Sequence, residues 1–90
     1  MGKAHVDPSE LRRFASDLSR FNNELQRLVS GLHARMRSLE GTWRDQEQKK
    51  FADEFQQQIL SFGRFIELID RHVPYLARKA EIIEEYLQHR

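Results

Sequence analysis

Apolar residues recur along the first part of the chain at alternating steps of three and four. The series, which ends on one step of seven, is Leu11, Phe14, Leu18, Phe21, Leu25, Leu28, Leu32 and Leu39. This heptad spacing places its members along one side of an α-helix. Ala15, Val29 and Met36 widen that apolar stripe. The pattern predicts a first helix over residues 8–40.

Both ends of this helix carry local signals. Asp7 is placed to be the N-cap, Pro8 the first helical residue, and Glu10 stands three residues after Asp7, as in a capping box. Gly41 follows the last apolar residue and is predicted to stop the helix by adopting a left-handed conformation. The sequence therefore predicts a loop over about residues 41–45.

A second and longer series alternates steps of four and three without a break. It consists of Phe55, Ile59, Phe62, Ile66, Ile69, Val73, Leu76, Ala80, Ile83 and Leu87. This series predicts a second helix over about 46–88, capped by Thr42 or Asp45. Pro74 lies inside it and removes a backbone donor. Because the apolar phase continues past Pro74, we predict a kink there, with a helix end as the alternative. The short loop makes the two helices antiparallel neighbours.

Two helices of this kind leave much apolar surface uncovered, since each covers only one side of the other. The stripes are wide, which suits helices with more than one neighbour. We therefore predict an all-α helical hairpin that dimerises into an antiparallel four-helix bundle. The partner is a second copy or a second small helical-hairpin protein, and the pattern leaves this choice open. The residues predicted to line the dimer interface are Phe14, Leu18, Phe21, Leu25, Leu28, Phe55, Phe62, Ile66 and Ile69.

Composition limits the classes of function. The 90 residues are enough for one domain at most. Their net charge of +1 argues against a dedicated nucleic-acid binder, which usually carries a strongly basic face. The chain contains no cysteine, which excludes disulfides and thiolate chemistry. Its apolar runs are far shorter than the roughly 20 residues of a membrane span, so we expect no stable membrane insertion. No signal peptide is visible at the N-terminus, so any export is expected to proceed without a cleaved leader.

Neither metal binding nor catalysis is predicted, and no cofactor is expected. The histidines stand far apart and form no His-x-x-x-His pair; they are His5, His33, His72 and His89. The carboxylates considered for acid-base work, Glu67, Asp70, Glu81, Glu84 and Glu85, lie among basic residues at helix-surface spacings, which ion pairs explain. Among the basic clusters, Arg35, Arg37 and Arg44 near the loop are the best candidates for contact with an anionic partner.

Trp43 stands in the one obvious break between the two helical patterns. An apolar residue, Leu39, precedes it by four positions, and a small and an aromatic residue, Ala52 and Phe55, follow in the second helix. With these features nearly the whole chain resembles the WXG family of type VII (ESX-type) secretion, the ESAT-like proteins. The loop departs from the family pattern, because it reads Trp43-Arg44-Asp45 in place of Trp-x-Gly.

The resemblance implies a small protein-interaction module that acts as a homodimer or heterodimer. It implies a type VII secretion substrate or co-secreted partner, made in the bacterial cytoplasm, with Trp43, Arg44 and Asp45 as a loop motif that could dock to a secretion ATPase. Family secretion signals often include Tyr-x-x-x-Asp/Glu, and this chain has Lys79 four residues after Tyr75. An intracellular helical adaptor or structural protein with no export role is the alternative. The alternative to a recognition role for Trp43 is a structural one, in which it is a turn residue that packs across the end of the hairpin.

Overall fold

The chain forms an all-α helix-turn-helix hairpin. The computed structural model describes residues 6–89; His5 of the histidine set lies outside them. Helix α1 spans Pro8–Leu39 and helix α2 spans Gln46–Gln88, and this described part contains no strand. The predicted fold class is thus confirmed. Contacts divide the chain into two compact units, which we call the open-end unit (residues 6–22 with 68–89) and the turn unit (residues 23–67).

Helix α1 begins at the cap that the sequence predicts. The Ser9 N–H donates to the Asp7 carboxylate (Oδ1) at 2.9 Å, and the Leu11 N–H donates to the Asp7 carbonyl at 3.1 Å. The Ser9 hydroxyl donates to the same carboxylate oxygen at 3.0 Å. The two hydrogen bonds from Ser9, the one from its hydroxyl foremost, lower the pKa of Asp7 below its ordinary value. The carboxylate thereby satisfies backbone donors that the first turn of a helix leaves open.

The end of α1 differs from the prediction for Gly41. No described glycine has a positive φ, so Gly41 does not adopt the left-handed conformation, and that prediction is wrong. The helix instead closes with short-range bonds: the Gly41 N–H donates to the Ser38 carbonyl at 3.1 Å, and the Thr42 and Trp43 N–H groups donate to the Leu39 carbonyl at 3.0 and 2.9 Å. A Cβ on Gly41 would lie 3.3 Å from the Ser38 oxygen, so glycine permits this tight turn by its small size.

Helix α2 continues through Pro74 without interruption. Proline removes one donor from the helical ladder, yet the helix extends from Gln46 to Gln88. The spacing of apolar residues crosses Pro74 unchanged. The apolar residues before and after Pro74 therefore lie on the same side of α2, in the row of buried and half-buried positions between the two helices that we call the seam. Val73 and Leu76 are both half-buried. A kink at Pro74 stays a prediction.

Small and apolar side chains form the interior of the open-end unit. Ala15, Ile69 and Ala80 are buried, and Ala80 is fully inaccessible to solvent. Leu18 and Leu76 are half-buried beside them. Because alanine occupies the seam on both helices, the backbones of this unit can approach closely.

A hydrogen bond joins a buried polar residue of α1 to an exposed carboxylate of α2 in this unit. Asn22 is only 2% exposed, and its Nδ2 donates to the Asp70 carboxylate at 2.8 Å. A buried amide is costly unless it is hydrogen-bonded. The pair therefore fixes which residues of α1 and α2 lie side by side.

A second cross-link joins the helices of this unit at its surface. The Arg12 guanidinium donates to both carboxylate oxygens of Glu84, at 2.6 and 3.0 Å. The hydrogen bond from Arg12, followed by its charge, lowers the pKa of Glu84 below its ordinary value. Both side chains remain partly in solvent. Together with the Asn22–Asp70 pair, this contact shows that α1 and α2 are antiparallel in the open-end unit.

Candidate interaction surface and turn motif

The Trp43 ring packs onto the first turns of α2. Its centroid lies 5.8 Å from that of Phe51, and Phe51 stacks on Phe55 at 5.9 Å with the rings 20° apart. Trp43 is half-buried by these neighbours. Aromatic pairs at such separations stabilise beyond the area they bury. Trp43 is therefore a packing residue of the turn unit, and its role in recognition stays a prediction.

The two residues after Trp43 satisfy the backbone at the two helix ends. The Arg44 Nε donates to the Glu40 carbonyl at 3.3 Å, just beyond the end of α1. The Asp45 Oδ1 accepts a hydrogen bond from the Gln48 N–H at 2.9 Å, which is the geometry of an N-cap. Asp45 is thus the cap of α2. The third position of the loop motif coincides with a site where aspartate and glycine are both well tolerated, which explains how Trp43-Arg44-Asp45 can replace Trp-x-Gly.

Replacing Asp45 tests this explanation. We expect Asp45→Ala to lower the free energy of unfolding by about 1 kcal/mol, because it leaves the Gln48 N–H without its acceptor. Asp45→Gly, which restores the family motif, should cost only a few tenths of a kcal/mol. Urea unfolding followed by circular dichroism measures both. Equal losses in the two variants would show that the cap does not govern this position.

Large apolar side chains lie uncovered along the open-end unit. Phe14 and Phe21 are 55% and 52% exposed on α1, and Tyr75 and Ile82 are 62% and 51% exposed on α2. Each directly precedes a residue of the seam: Ala15, Asn22, Leu76 and Ile83 in that order. Successive residues of an α-helix are rotated by about 100° about the helix axis. Each of the four side chains is therefore rotated away from the seam by the same angle and in the same direction.

This common offset puts the four side chains on one side of the unit. Two antiparallel helices are related by a local twofold axis perpendicular to the plane that contains them. A rotation by 180° about this axis exchanges the two helices and does not exchange the two sides of the plane. Equivalent positions of α1 and α2 therefore lie on the same side of the plane. Phe14, Phe21, Tyr75 and Ile82 therefore form one apolar surface, which we call the pairing face of the open-end unit.

The turn unit repeats the arrangement. Leu28, Phe51 and Phe65 are about half exposed, and they directly precede Val29, Ala52 and Ile66 of its seam. The same offset from the seam places them on one side of that unit. Contiguous apolar patches of this kind are rare on monomeric proteins unless they serve an interaction.

The nine residues predicted to line the dimer interface fall into three groups. Phe14, Phe21, Leu28 and Phe62 are exposed, and Leu18, Leu25 and Phe55 are half-buried. Ile66 and Ile69 are buried by the chain's own packing, at 8% exposure each. These two therefore stabilise the hairpin itself and leave little area for a partner. The interface assignment of the other seven stays a prediction.

Sequence reasoning did not assign Phe51, Tyr75 and Ile82 to the interface, although they broaden the apolar stripe. Tyr75 and Ile82 each stand one residue before a member of the regular heptad series, and Phe51 stands one residue before Ala52, which extends that series by a step of three before Phe55. This position is the signal that could have found them. Such a residue lies beside the seam, where an intramolecular helix cannot cover it but a second hairpin can.

The histidines and carboxylates considered for metal binding and acid-base catalysis do not form a common site among residues 6–89. Within residues 6–89 no group of three or more His, Asp or Glu side chains is placed to hold a metal ion. His33 is half-buried, whereas His72 and His89 are exposed. Of the carboxylates, Glu84 is held by Arg12, Glu81 lies 3.6 Å from Arg78, and Asp70 accepts from Asn22. Neither helix, in its described part, has a stretch long and apolar enough to cross a membrane.

These features define a small helix-turn-helix protein with a tryptophan-bearing turn and with exposed apolar side chains on each of its two units. The family model WXG100, proteins of 100 residues with WXG, matches residues 3–86. The chain belongs to this family. No curated protein sequence matches it.

Solved structures agree with the family assignment. The wild-type form of the secreted protein EsxB from Bacillus anthracis str. Sterne is 30% identical, with a TM-score of 0.76 over 90% of this chain and 87% of that chain. A selenomethionine-labelled form is 28% identical, with a TM-score of 0.78 over 96% and 98%. A point mutant of EsxB reaches a TM-score of 0.81 over 94% and 96%, also at 28% identity. The helical hairpin is thus shared along nearly the full length of both chains.

Proposed function

We propose that this protein is a small interaction module of type VII secretion, exported as a dimer with a second helical hairpin. It acts as a secretion substrate or co-secreted partner and has no catalytic role. The observation that carries the proposal is the pairing face, on which Phe14, Phe21, Tyr75 and Ile82 are each about half exposed or more. A second hairpin is the simplest body that covers such a face along antiparallel helices.

The size of the chain supports this pairing. Small single domains bury a limited fraction of their surface and are marginally stable. Here the large apolar side chains exposed on both units outnumber those that are buried. Covering them by association adds burial that the chain cannot obtain alone, at about 25 cal/mol for each Å² of apolar surface removed from water.

Membership of the WXG100 family and the likeness to EsxB, a secreted protein, support the export part of the proposal. The turn motif, with Trp43 packed on Phe51 and Arg44 exposed beside it, is the proposed contact for a secretion ATPase. In this proposal Trp43 stabilises the turn and also displays part of its ring to the ATPase.

The export part is tested in the producing bacterium. We expect the intact protein in the culture medium, and we expect it to disappear from the medium when the gene for the secretion ATPase is deleted. A cytosolic enzyme measured in the same samples controls for lysis. Retention in the cells of both strains, with a second hairpin protein co-expressed, would contradict export and leave an intracellular adaptor.

A further inference from the structure

Tyr75 lies at the centre of a basic cluster on helix α2. Neighbours on the surface of an α-helix stand three and four residues apart, with about 5–6 Å between their Cβ atoms. All four such neighbours of Tyr75 are basic, namely Arg71, His72, Arg78 and Lys79. No other serine, threonine or tyrosine of the sequence has basic residues at all four positions. The five side chains are exposed and belong to the open-end unit, and we call them the Tyr75 cluster.

The positive charge of the Tyr75 cluster is only weakly neutralised by carboxylates. Among residues 6–89, Arg71 and Lys79 take part in no ion pair. The Arg78 guanidinium lies 3.6 Å from the Glu81 carboxylate. Both of these side chains are exposed, and exposed pairs of this kind are weak. The cluster therefore offers cations to a further anionic group.

The Tyr75 hydroxyl is accessible and has room to carry such a group. Tyr75 is 62% exposed. A shallow depression of about 170 Å³ beside it is lined by Tyr75, Arg78, Lys79, Ile82 and Ile83. Pro74, the preceding residue, has no N–H, so this turn of α2 is held by one backbone hydrogen bond fewer. This lowers the cost of opening the helix to a modifying enzyme.

We propose that Tyr75 is a phosphorylation site and that its phosphate keeps the chain unpaired. The Tyr75 oxygen attacks the γ-phosphorus of a nucleoside triphosphate held by a tyrosine kinase. The bond from that phosphorus to the oxygen of the β-phosphate breaks, the nucleoside diphosphate leaves, and the phenolic proton passes to a base of the kinase. The product is a phosphate ester with a charge of about −1.5 to −2 at pH 7.

The Tyr75 cluster stabilises this product in the single chain. Long side chains of a helix lean toward its N-terminus. The ring of Tyr75 therefore carries its phosphate toward Arg71, while Arg78 and Lys79 lean toward Tyr75 from the following turn. Hydrogen bonds from guanidinium and ammonium groups to phosphate oxygens are charge-assisted and stronger than neutral ones. Bases on both sides along the helix thus hold one phosphate.

The effect on pairing rests on the proposed function, because Tyr75 belongs to the pairing face. A second hairpin on this face would take the phosphate and its cations out of water. The desolvation of such ionic groups outweighs their mutual attraction unless their geometry is excellent. Phosphorylation therefore acts on the single chain and opposes pairing, and hydrolysis of the ester by a phosphatase restores the apolar surface.

Mass spectrometry of the protein from the producing bacterium tests the site. Cells are collected through all stages of growth and lysed with phosphatase inhibitors, and we expect part of the protein to be heavier by one phosphoryl group. Tyr75→Phe should abolish this species. Tyr86→Phe is the matched control and should retain it, because Tyr86 is 70% exposed but has Ile82 and Ile83 in the turn before it. Absence of the heavier species at every stage, or its persistence in the Tyr75 variant, would overturn the site.

Phosphotyrosine introduced during translation tests the role of the basic neighbours. Phosphorus magnetic resonance follows the pH at which the phosphate takes up its second negative charge. We expect this pH to be lower for phosphotyrosine at position 75 than at position 86, because nearby cations favour the dianion. The double variant Arg71→Gln/Lys79→Gln should raise it at position 75. Equal values at the two positions would show that the cluster does not hold the phosphate.

Light scattering on a sizing column separates this inference from the proposed function. We expect the unmodified chain and Tyr75→Phe to pair equally well, and the chain with phosphotyrosine at position 75 to pair at least about tenfold more weakly. Equal pairing of the phosphorylated chain would overturn the control of pairing and leave the pairing function standing. An unmodified chain that pairs neither with itself nor with a second hairpin protein would overturn the pairing function, whereas the mass spectrum would still decide the phosphorylation site.

Discussion

Replacing Phe21 by aspartate is expected to convert the paired protein into a monomer with its helices intact. Phe21 is 52% exposed in the single chain, so the substitution removes little packing within the hairpin. In the dimer the same position becomes apolar interior, and burying an unpaired carboxylate there costs several kcal/mol. Since each 1.4 kcal/mol is tenfold in affinity, the dissociation constant should rise by at least about a hundredfold.

Light scattering on a sizing column measures this effect, with circular dichroism on the same sample. The mass of the species that contains this chain should fall from that of the pair to that of the single chain, 10.8 kDa. Asn23→Asp is the matched control, because Asn23 is exposed and follows the seam residue Asn22, whereas Phe21 precedes it. An unchanged dimer mass in the Phe21 variant would remove this residue from the interface.

Ile69→Ala is expected to lower the free energy of unfolding by about 2–4 kcal/mol. Ile69 is 8% exposed in the seam of the open-end unit, so its truncation leaves a cavity inside the hairpin. Such a loss would be a large fraction of the stability of a small domain. Because the cavity lies within one chain, the loss should be the same at low and high protein concentration.

Ile82→Ala is the control of identical chemistry on the pairing face. Ile82 is 51% exposed, so we expect little loss for the separated chain and a loss that appears only at concentrations where it pairs. Urea unfolding at two protein concentrations, combined with the sizing column, distinguishes the two variants. A concentration-dependent loss for Ile69→Ala would instead place that residue in the intermolecular contact.

The fold was predictable because each of its determinants is local. The heptad series specify two amphipathic helices, Asp7 marks the start of the first, and the short break around Trp43 forces the helices to turn back on each other. The turn itself was less accessible to sequence reasoning. Glycine permits both a left-handed residue and a close backbone approach, and at Gly41 only the structure shows that the close approach applies.

The pairing face was predictable in outline and not in detail. Periodicity identifies a wide apolar stripe, but it does not say which part of the stripe the second helix of the same chain covers. That division depends on the rotation of each helix about its axis. Ile69 is buried and Tyr75 is exposed, although both belong to the same broadened stripe of α2. Sequence reasoning did not identify Asn22 as a buried residue, because a single polar residue among apolar ones does not produce a periodic pattern.

The hydrogen bond between Asn22 and Asp70 also fixes the register of α2 against α1. A heptad pattern repeats, so sliding α2 by seven residues along α1 would keep apolar side chains against apolar side chains. Such a slip would bring Gly63 or Ala77 to the position of Asp70, and neither has a side-chain acceptor for the Asn22 amide. The loss of one such hydrogen bond costs about 0.5–1.5 kcal/mol. One polar contact thus gives a repetitive pattern a single alignment, and with it the apolar side chains of the pairing face keep fixed positions relative to one another.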